Sequence, residues 1–334
     1  MRKPGETGMP PAERFAPPTN TTPHGPKEVR RACDAGVIYT PSDLIDARIR
    51  APGCAKAAPM NPCGDTIDTL AQELLSASDT GQMIAVLPSS RTGFDLNSAY
   101  EVEARLKQLR ESQGHRAVGW KVGYANKAMW RILKLETLVW AHMYEDTVHY
   151  AANNEAALTI SHPRSLKIEP EIVFGLKQPI TSPGRDATTV LGSVEWFAMG
   201  FEIIDCPYPG WQFQPSDFVA SFGLHAALVV GDKTSVRPET LAKLAEDLPR
   251  FTVRMLKGGE FVEEGSGKNA LRSPALCLAE LGGAILRSFP DQPLSTGELI
   301  STGTLTAGHP IEKGDRWTAE VHGLALPPLT IHLL

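Results

Sequence analysis

Between residues 65 and 114 the apolar positions recur every three or four residues, the period of a helix with one buried face. Ile67, Leu70, Leu74 and Leu75 form the first stripe, and Asp79-Thr80-Gly81 is a stop signal after it. Asp95 can accept from the open amides of a second helix, whose stripe is Ala99, Val102, Leu106 and Leu109. Ser112-Gln113-Gly114 ends it.

Beyond residue 115 the period shortens. Ala117–Tyr124 reads as a strand flanked by glycines, with Lys121 alone among apolar neighbours, and a short helical piece follows from Lys127 to Leu133. A loop-rich passage is expected through Trp140 and Met143 to about Pro163. Leu166 to about Leu176 reads as a strand, and the apolar run Phe197–Asp205 as another. Ser216 and Asp217 open a short helix, and Ala226–Val230 is a strand closed by Gly231-Asp232.

In the last third, Phe251–Leu256 and Glu260–Glu264 flank Gly258-Gly259, a hairpin signal. A helix from Pro274 to about Arg287 interrupts, with proline in its first turn. Strands then follow at Glu298–Thr302, Arg316–His322 and Leu329–Leu334. Helices first and many strands afterwards, without βα alternation, predict an α+β fold built on a curled or barrel-like sheet.

Residues 1–59 carry no period of either kind and are rich in Pro, Gly, Ala and Arg. They are expected to be a disordered extension, with Met60 the natural beginning of one catalytic domain, 60–334. Its helical part is about 65–114 and its β-rich part about 115–334. Over the 334 residues, 42% are hydrophobic and 21% charged, as in a soluble globular protein, and the net charge of −5 is spread without a basic cluster. That argues against nucleic acid as a partner, and no apolar run reaches the roughly 20 residues of a membrane helix. Five scattered cysteines without a CxxC fit reduced thiols in a cytoplasmic protein and offer no zinc site.

The chemistry starts at Lys167-Ile168-Glu169-Pro170-Glu171-Ile172-Val173-Phe174. On a strand, Glu169 and Glu171 point the same way, so they are either a solvated strand end or two donors to one cation. Pro170 between them lacks a backbone donor, which predicts an edge or bulge facing a cavity. Glu202 lies in a run where five of the seven residues Phe197–Ile203 are apolar. A lone buried carboxylate there wants a cation, either a metal shared with the other two acids or a basic side chain. Three oxygen donors with no histidine close in sequence suit Mg²⁺ or Mn²⁺ better than zinc or iron. Lys121 is a candidate for proton transfer or for holding a substrate carboxylate; a lysine snorkelling from a strand end is the bland alternative. Gly265-Ser266-Gly267-Lys268-Asn269 lacks the parts of a phosphate loop and is expected to be a turn that approaches a ligand through its backbone. Serine-hydrolase and zincin motifs are absent.

In order and approximate spacing, several segments resemble the fumarylacetoacetate hydrolase superfamily, in its 2-keto-4-pentenoate hydratase / 4-oxalocrotonate decarboxylase branch. They are Gly119-Trp120-Lys121-Val122-Gly123, Glu169-Pro170-Glu171-Ile172-Val173-Phe174, Glu202-Ile203-Ile204-Asp205, Gly265-Ser266-Gly267 with Pro274, Thr302-Gly303-Thr304 and Gly314-Asp315. The resemblance covers roughly residues 65–334.

It implies a mixed, incompletely closed β-barrel with N-terminal helices packed outside, and a homo-oligomer built from dimers. It also implies Glu169, Glu171 and Glu202 as ligands of Mg²⁺ or Mn²⁺, Lys121 as the acid/base residue, and Gly303-Thr304 along a small 2-oxo acid substrate. The chain departs from the family where an Asp-Asn pair is usual: it has Ser221-Phe222, with His225 where a small polar residue is usual, and Ala141 for a glycine. Ser221 and His225 are therefore expected to line the substrate. The activity implied is a metal-dependent hydratase of 2-hydroxypenta-2,4-dienoate (2-keto-4-pentenoate) or a related short unsaturated 2-oxo acid, as in aromatic catabolism. The alternatives are, in order, a 2-oxo-acid decarboxylase of 4-oxalocrotonate type, an acylpyruvate C–C hydrolase that would need His142 or His225 as a base, and a non-catalytic assembly partner.

Overall fold

The computed structural model describes residues 64–184 and 186–334, so the expectation for residues 1–59 lies outside the described residues. Two helices open the described chain, α1 (Gly64–Thr80) and α2 (Leu96–Ser112). The Asp95 side chain accepts from the Ser98 amide at 2.9 Å, the cap expected from the sequence. Ala99, Val102 and Leu106 bury their stripe against Leu70, Leu74 and the segment Phe218–Ala220.

The chain continues through β1 (Ala117–Gly123), α3 (Lys127–Leu133), β2 (Val139–Tyr144), β3 (Val148–Tyr150), β4 (Glu155–Leu158), β5 (Leu166–Leu176) and α4 (Ala187–Leu191). Next come β6 (Val194–Asp205), α5 (Pro215–Ala220), β7 (His225–Val230), β8 (Thr234–Ser235), α6 (Leu241–Asp247), β9 (Thr252–Lys257) and β10 (Glu260–Ser266). The last elements are α7 (Pro274–Ser288), β11 (Leu299–Ser301), β12 (His309–Pro310), β13 (Arg316–His322) and β14 (Leu329–Leu333).

Among the described residues the strands form two sheets. The larger runs β2-β1-β11-β5-β6-β7-β3, with β12 beside β5 and β8 beside β6; the smaller runs β10-β9-β13-β14-β4. The β1–β11 and β3–β7 pairs are parallel and the other pairs of the large sheet antiparallel. Its end strands β2 and β3 do not pair with each other, so the curl stays open. This is the α+β, incompletely closed barrel expected.

Register assigns the two faces of the large sheet. Ile172, Phe174, Met199, Phe201 and Ile203 point to one face and share a core with Val253, Met255, Ala319 and Ile331 of the small sheet and with Leu278, Leu281 and Ile285 of α7. Val173, Ala198, Leu228 and Leu299 fill the other face, and the next positions along that same face belong to the acids.

Three expectations need correction. The passage around Trp140 and Met143 is not loop-rich: it holds β2, β3 and β4. All six residues of β2 are buried, so covering on both faces erased the alternation that marks a strand. The short helix does not start at Ser216. Gln214 is its N-cap, Pro215 is its first residue, and Asp217 accepts from the Gln214 amide at 2.8 Å. Pro170 is in the interior of the sheet, not on an edge. Its carbonyl accepts from the Leu305 amide at 2.9 Å, on the side away from β6. The missing donor therefore faces the gap in the ladder between β11 and β12, where no strand needs it.

Candidate metal centre and its cavity

Glu169 and Glu202 are direct cross-strand partners on β5 and β6, and Glu171 follows two residues along the same face, opposite Gly200. One carboxylate oxygen from each of the three lies within 4.8 Å of the others. Glu171 and Glu202 are fully buried and Glu169 is 6% exposed, so the solvated strand end is excluded.

The surroundings treat the three acids differently. Glu171 Oε2 accepts from the Ser301 hydroxyl and from the Gly303 amide at 2.9 Å, while its Oε1 has no partner. Burial, then the negative charges of Glu202 and Glu169, push the Glu171 carboxyl well above the usual range. Burial likewise raises Glu169 to about 7, against the opposing charge of Lys121. Burial would raise Glu202 too, but Lys121 and His225 outweigh it and hold this carboxyl below its usual value.

Lys121 reaches the acids because β1 lies beside β11, which lies beside β5: Lys121 pairs with Ser301, and Ser301 with Val173. Its ammonium donates to the Gly223 carbonyl at 2.9 Å. It lies 3.0 Å from Glu202 Oε2, close enough for an ion pair although not aligned as a hydrogen bond. Phe222, Gly223 and Leu224 all have positive φ, and that left-handed turn presents the carbonyl to the lysine. A Cβ on Gly223 would sit 2.7 Å from Lys121 Cδ, which is why the position is a glycine.

Lys121, Glu169, Gly303 and Thr304 line one cavity together. Its remaining walls are largely apolar, with Tyr124, Ile204, Trp211, Phe218 and Leu224, and Asn126 and Asn269 are polar points of the lining. Tryptophan and phenylalanine in loops and short helices carry no pattern that marks a cavity, so the sequence did not single them out. Asn269 did have a signal: it ends the Gly265–Asn269 turn. That turn serves the protein's own backbone, since Asn269 donates to the Leu305 carbonyl at 2.7 Å and a Cβ on Gly265 would lie 2.0 Å from the same oxygen.

Ser221 and His225 lie outside this lining. The Ser221 hydroxyl meets Tyr208 Oη at 2.5 Å. His225 Nδ1 lies 2.8 Å from Glu202 Oε1, and the ring borders a separate polar cavity. His142 points to the opposite face of the sheet, its ring tilted against Trp120 and 2.5 Å from Glu103.

The donor set passes the test for a hard divalent cation. Three buried carboxylates converge, Glu171 Oε1 and Glu202 Oε2 are left without a hydrogen-bond partner, and the charges of Glu202 and Glu169 add to the rise of Glu171.

A curled mixed sheet brings three buried acids together beside a lysine, a site that could hold a metal ion. No protein-family model matches the chain. A 2-hydroxyhexa-2,4-dienoate hydratase of Comamonas testosteroni is 29% identical over 261 residues, 77% of this chain and 94% of that enzyme. A 4-oxalocrotonate decarboxylase of Pseudomonas sp. (strain CF600) is 27% identical over 261 residues, 78% of this chain and 94% of that one. The crystal structure of 4-oxalocrotonate decarboxylase from Pseudomonas putida G7, complexed with magnesium and adipate, shares the fold. Its TM-score is 0.73 at 23% identity, covering 82% of this chain and 99% of that one. The chain is thus similar in sequence, over most of its described length, to 2-keto-4-pentenoate hydratases and 4-oxalocrotonate decarboxylases.

Proposed function

We propose that this chain is a divalent-metal-dependent hydro-lyase that hydrates 2-hydroxypenta-2,4-dienoate (2-keto-4-pentenoate) or a related short unsaturated 2-oxo acid. The observation that carries the reading is the convergence of Glu169, Glu171 and Glu202 beside Lys121, with Glu169 and Lys121 lining one cavity. The three glutamates would hold the ion, with Mg²⁺ or Mn²⁺ the best match to their oxygens. When bound, such an ion supplies a Lewis acid for the carboxylate and C2 oxygen of a 2-oxo acid.

The rest falls to the chain's own residues. Lys121, held by Gly223 and Glu202, moves a proton between the dienol and its ketone. Phe218, Trp211 and Ile204 exclude bulk water from the carbon chain. The Gly303 amide and Ser301 hydroxyl keep Glu171 Oε2 in place, leaving Oε1 for the ion.

Decarboxylation is the second reading, supported by the 27% identity to a 4-oxalocrotonate decarboxylase. A C–C hydrolase is disfavoured, because among the described residues no histidine lines the cavity. Incubation with 2-hydroxypenta-2,4-dienoate and Mg²⁺ should bleach the dienol absorbance and give a product heavier by one water. Loss of carbon dioxide from 4-oxalocrotonate instead, with no hydration, would replace the first reading by the second.

A further inference from the structure

We propose that His225 is a positioning residue of the acidic centre: it pins Glu202 Oε1, leaving Oε2 beside Lys121 as the oxygen offered to a cation. The inference rests on the reading that the three acids hold a metal ion. The backbone delivers His225 to this place through a bulge. Along β6 and β7, Ile203 pairs with Ala227 but the next residue, Ile204, pairs with His225, so Ala226 is the extra residue. Without the bulge, Ala226 would face Ile204 and His225 would point to the opposite side of the sheet. With it, His225 shares the face of Glu202, and its side chain is 2% exposed.

Both ring nitrogens are engaged. Nδ1 lies 2.8 Å from Glu202 Oε1 and Nε2 lies 2.9 Å from Thr147 Oγ1. Thr147 Oγ1 also lies 2.9 Å from the Tyr144 carbonyl, so the far side of the ring is anchored to the turn after β2. Nδ1, opposite a carboxylate oxygen, is placed to donate to it. Glu202 is then clamped at both oxygens, by His225 on Oε1 and by Lys121 near Oε2. A carboxylate so held cannot rotate to offer both oxygens at once. The remaining positions around an ion stay available to a substrate that binds through two oxygens.

Mn²⁺ serves as the probe, with the full chain, using calorimetry and the electron paramagnetic resonance of the bound ion. His225→Ala should weaken Mn²⁺ binding by about 10- to 100-fold and alter the spectrum of whatever ion is bound. His225→Asn, whose amide can donate near the position of Nδ1, should recover most of the affinity. Thr147→Val should shift affinity in the direction of His225→Ala by a smaller factor, and it decides the matter if His225→Ala does not fold. Variants that bind Mn²⁺ as wild type does, with the same spectrum, would overturn the role of His225 and leave the metal reading intact. A folded wild-type protein that takes up no Mn²⁺ would overturn the metal reading itself.

Discussion

The Lys121 ammonium lies 3.0 Å from Glu202 Oε2, and both side chains are almost wholly buried. In the protein without an ion, Lys121 and His225 hold this one acid below its usual range while burial raises its neighbours. Lys121→Met should therefore lower turnover by at least about 10²-fold, within the usual worth of a proton-transfer group. Mn²⁺ binding should survive, because the three acids remain. Steady-state kinetics beside a binding isotherm separate the two effects, and a variant that keeps wild-type turnover would remove Lys121 from the chemistry.

Glu169→Gln and Glu202→Gln each replace a charged donor by a neutral one without changing size. Both should abolish turnover and Mn²⁺ uptake, with far-ultraviolet circular dichroism unchanged. Excess EDTA should do the same to the wild type. Full activity in EDTA would contradict the metal assignment.

Cation uptake should depend on pH. Glu169 sits near 7 in the ion-free protein, raised chiefly by burial, and a bound ion requires it ionised. Below that pH, binding must expel a proton, so from this group affinity should fall by about tenfold per pH unit and level off above it. Stability runs the other way. A carboxyl raised in the fold contributes stability that is complete below its unfolded value and is lost as pH rises toward 7. Thermal melts of the ion-free protein between pH 5 and 8 should show a falling midpoint, restored by Mn²⁺.

Gly303 has φ +87°, and its added Cβ would lie 2.7 Å from Ala125 Cβ. Gly303→Ala should thus destabilise by about 1–3 kcal/mol and displace the amide that holds Glu171 Oε2. Urea unfolding measures the first effect and a Mn²⁺ titration the second. An unchanged midpoint would mean that the loop absorbs the strain.

Asp217 is fully buried and accepts from Ser89 N, Ser89 Oγ and Gln214 N at 2.6–2.8 Å, tying the segment before α2 to α5. Asp217→Ala should cost about 1–3 kcal/mol, since three hydrogen bonds to one buried carboxylate are lost together. Because α5 carries Phe218 into the cavity, Michaelis constants should rise along with the loss of stability.

Local pattern was enough for much of the framework. The stripe Ala99-Val102-Leu106 and the cap at Asp95 defined α2, and the spacing of Glu169 and Glu171 put both acids on one face, because strand and helix periods are properties of the chain alone. The buried run around Glu202 showed that this acid needed a positive partner. Position in the fold was not in that pattern. β2 was hidden because burial on both faces removes alternation, and Pro170 was misplaced because the gap it faces is made by residues more than 130 positions later. Long-range register decided the rest: it set Glu202 opposite Glu169, brought Lys121 to them across β11, and through one bulged residue turned His225 from an expected substrate contact into a partner of Glu202. Side-chain type and period are written residue by residue, whereas register and the hand of a bulge are settled by what the whole sheet can bury.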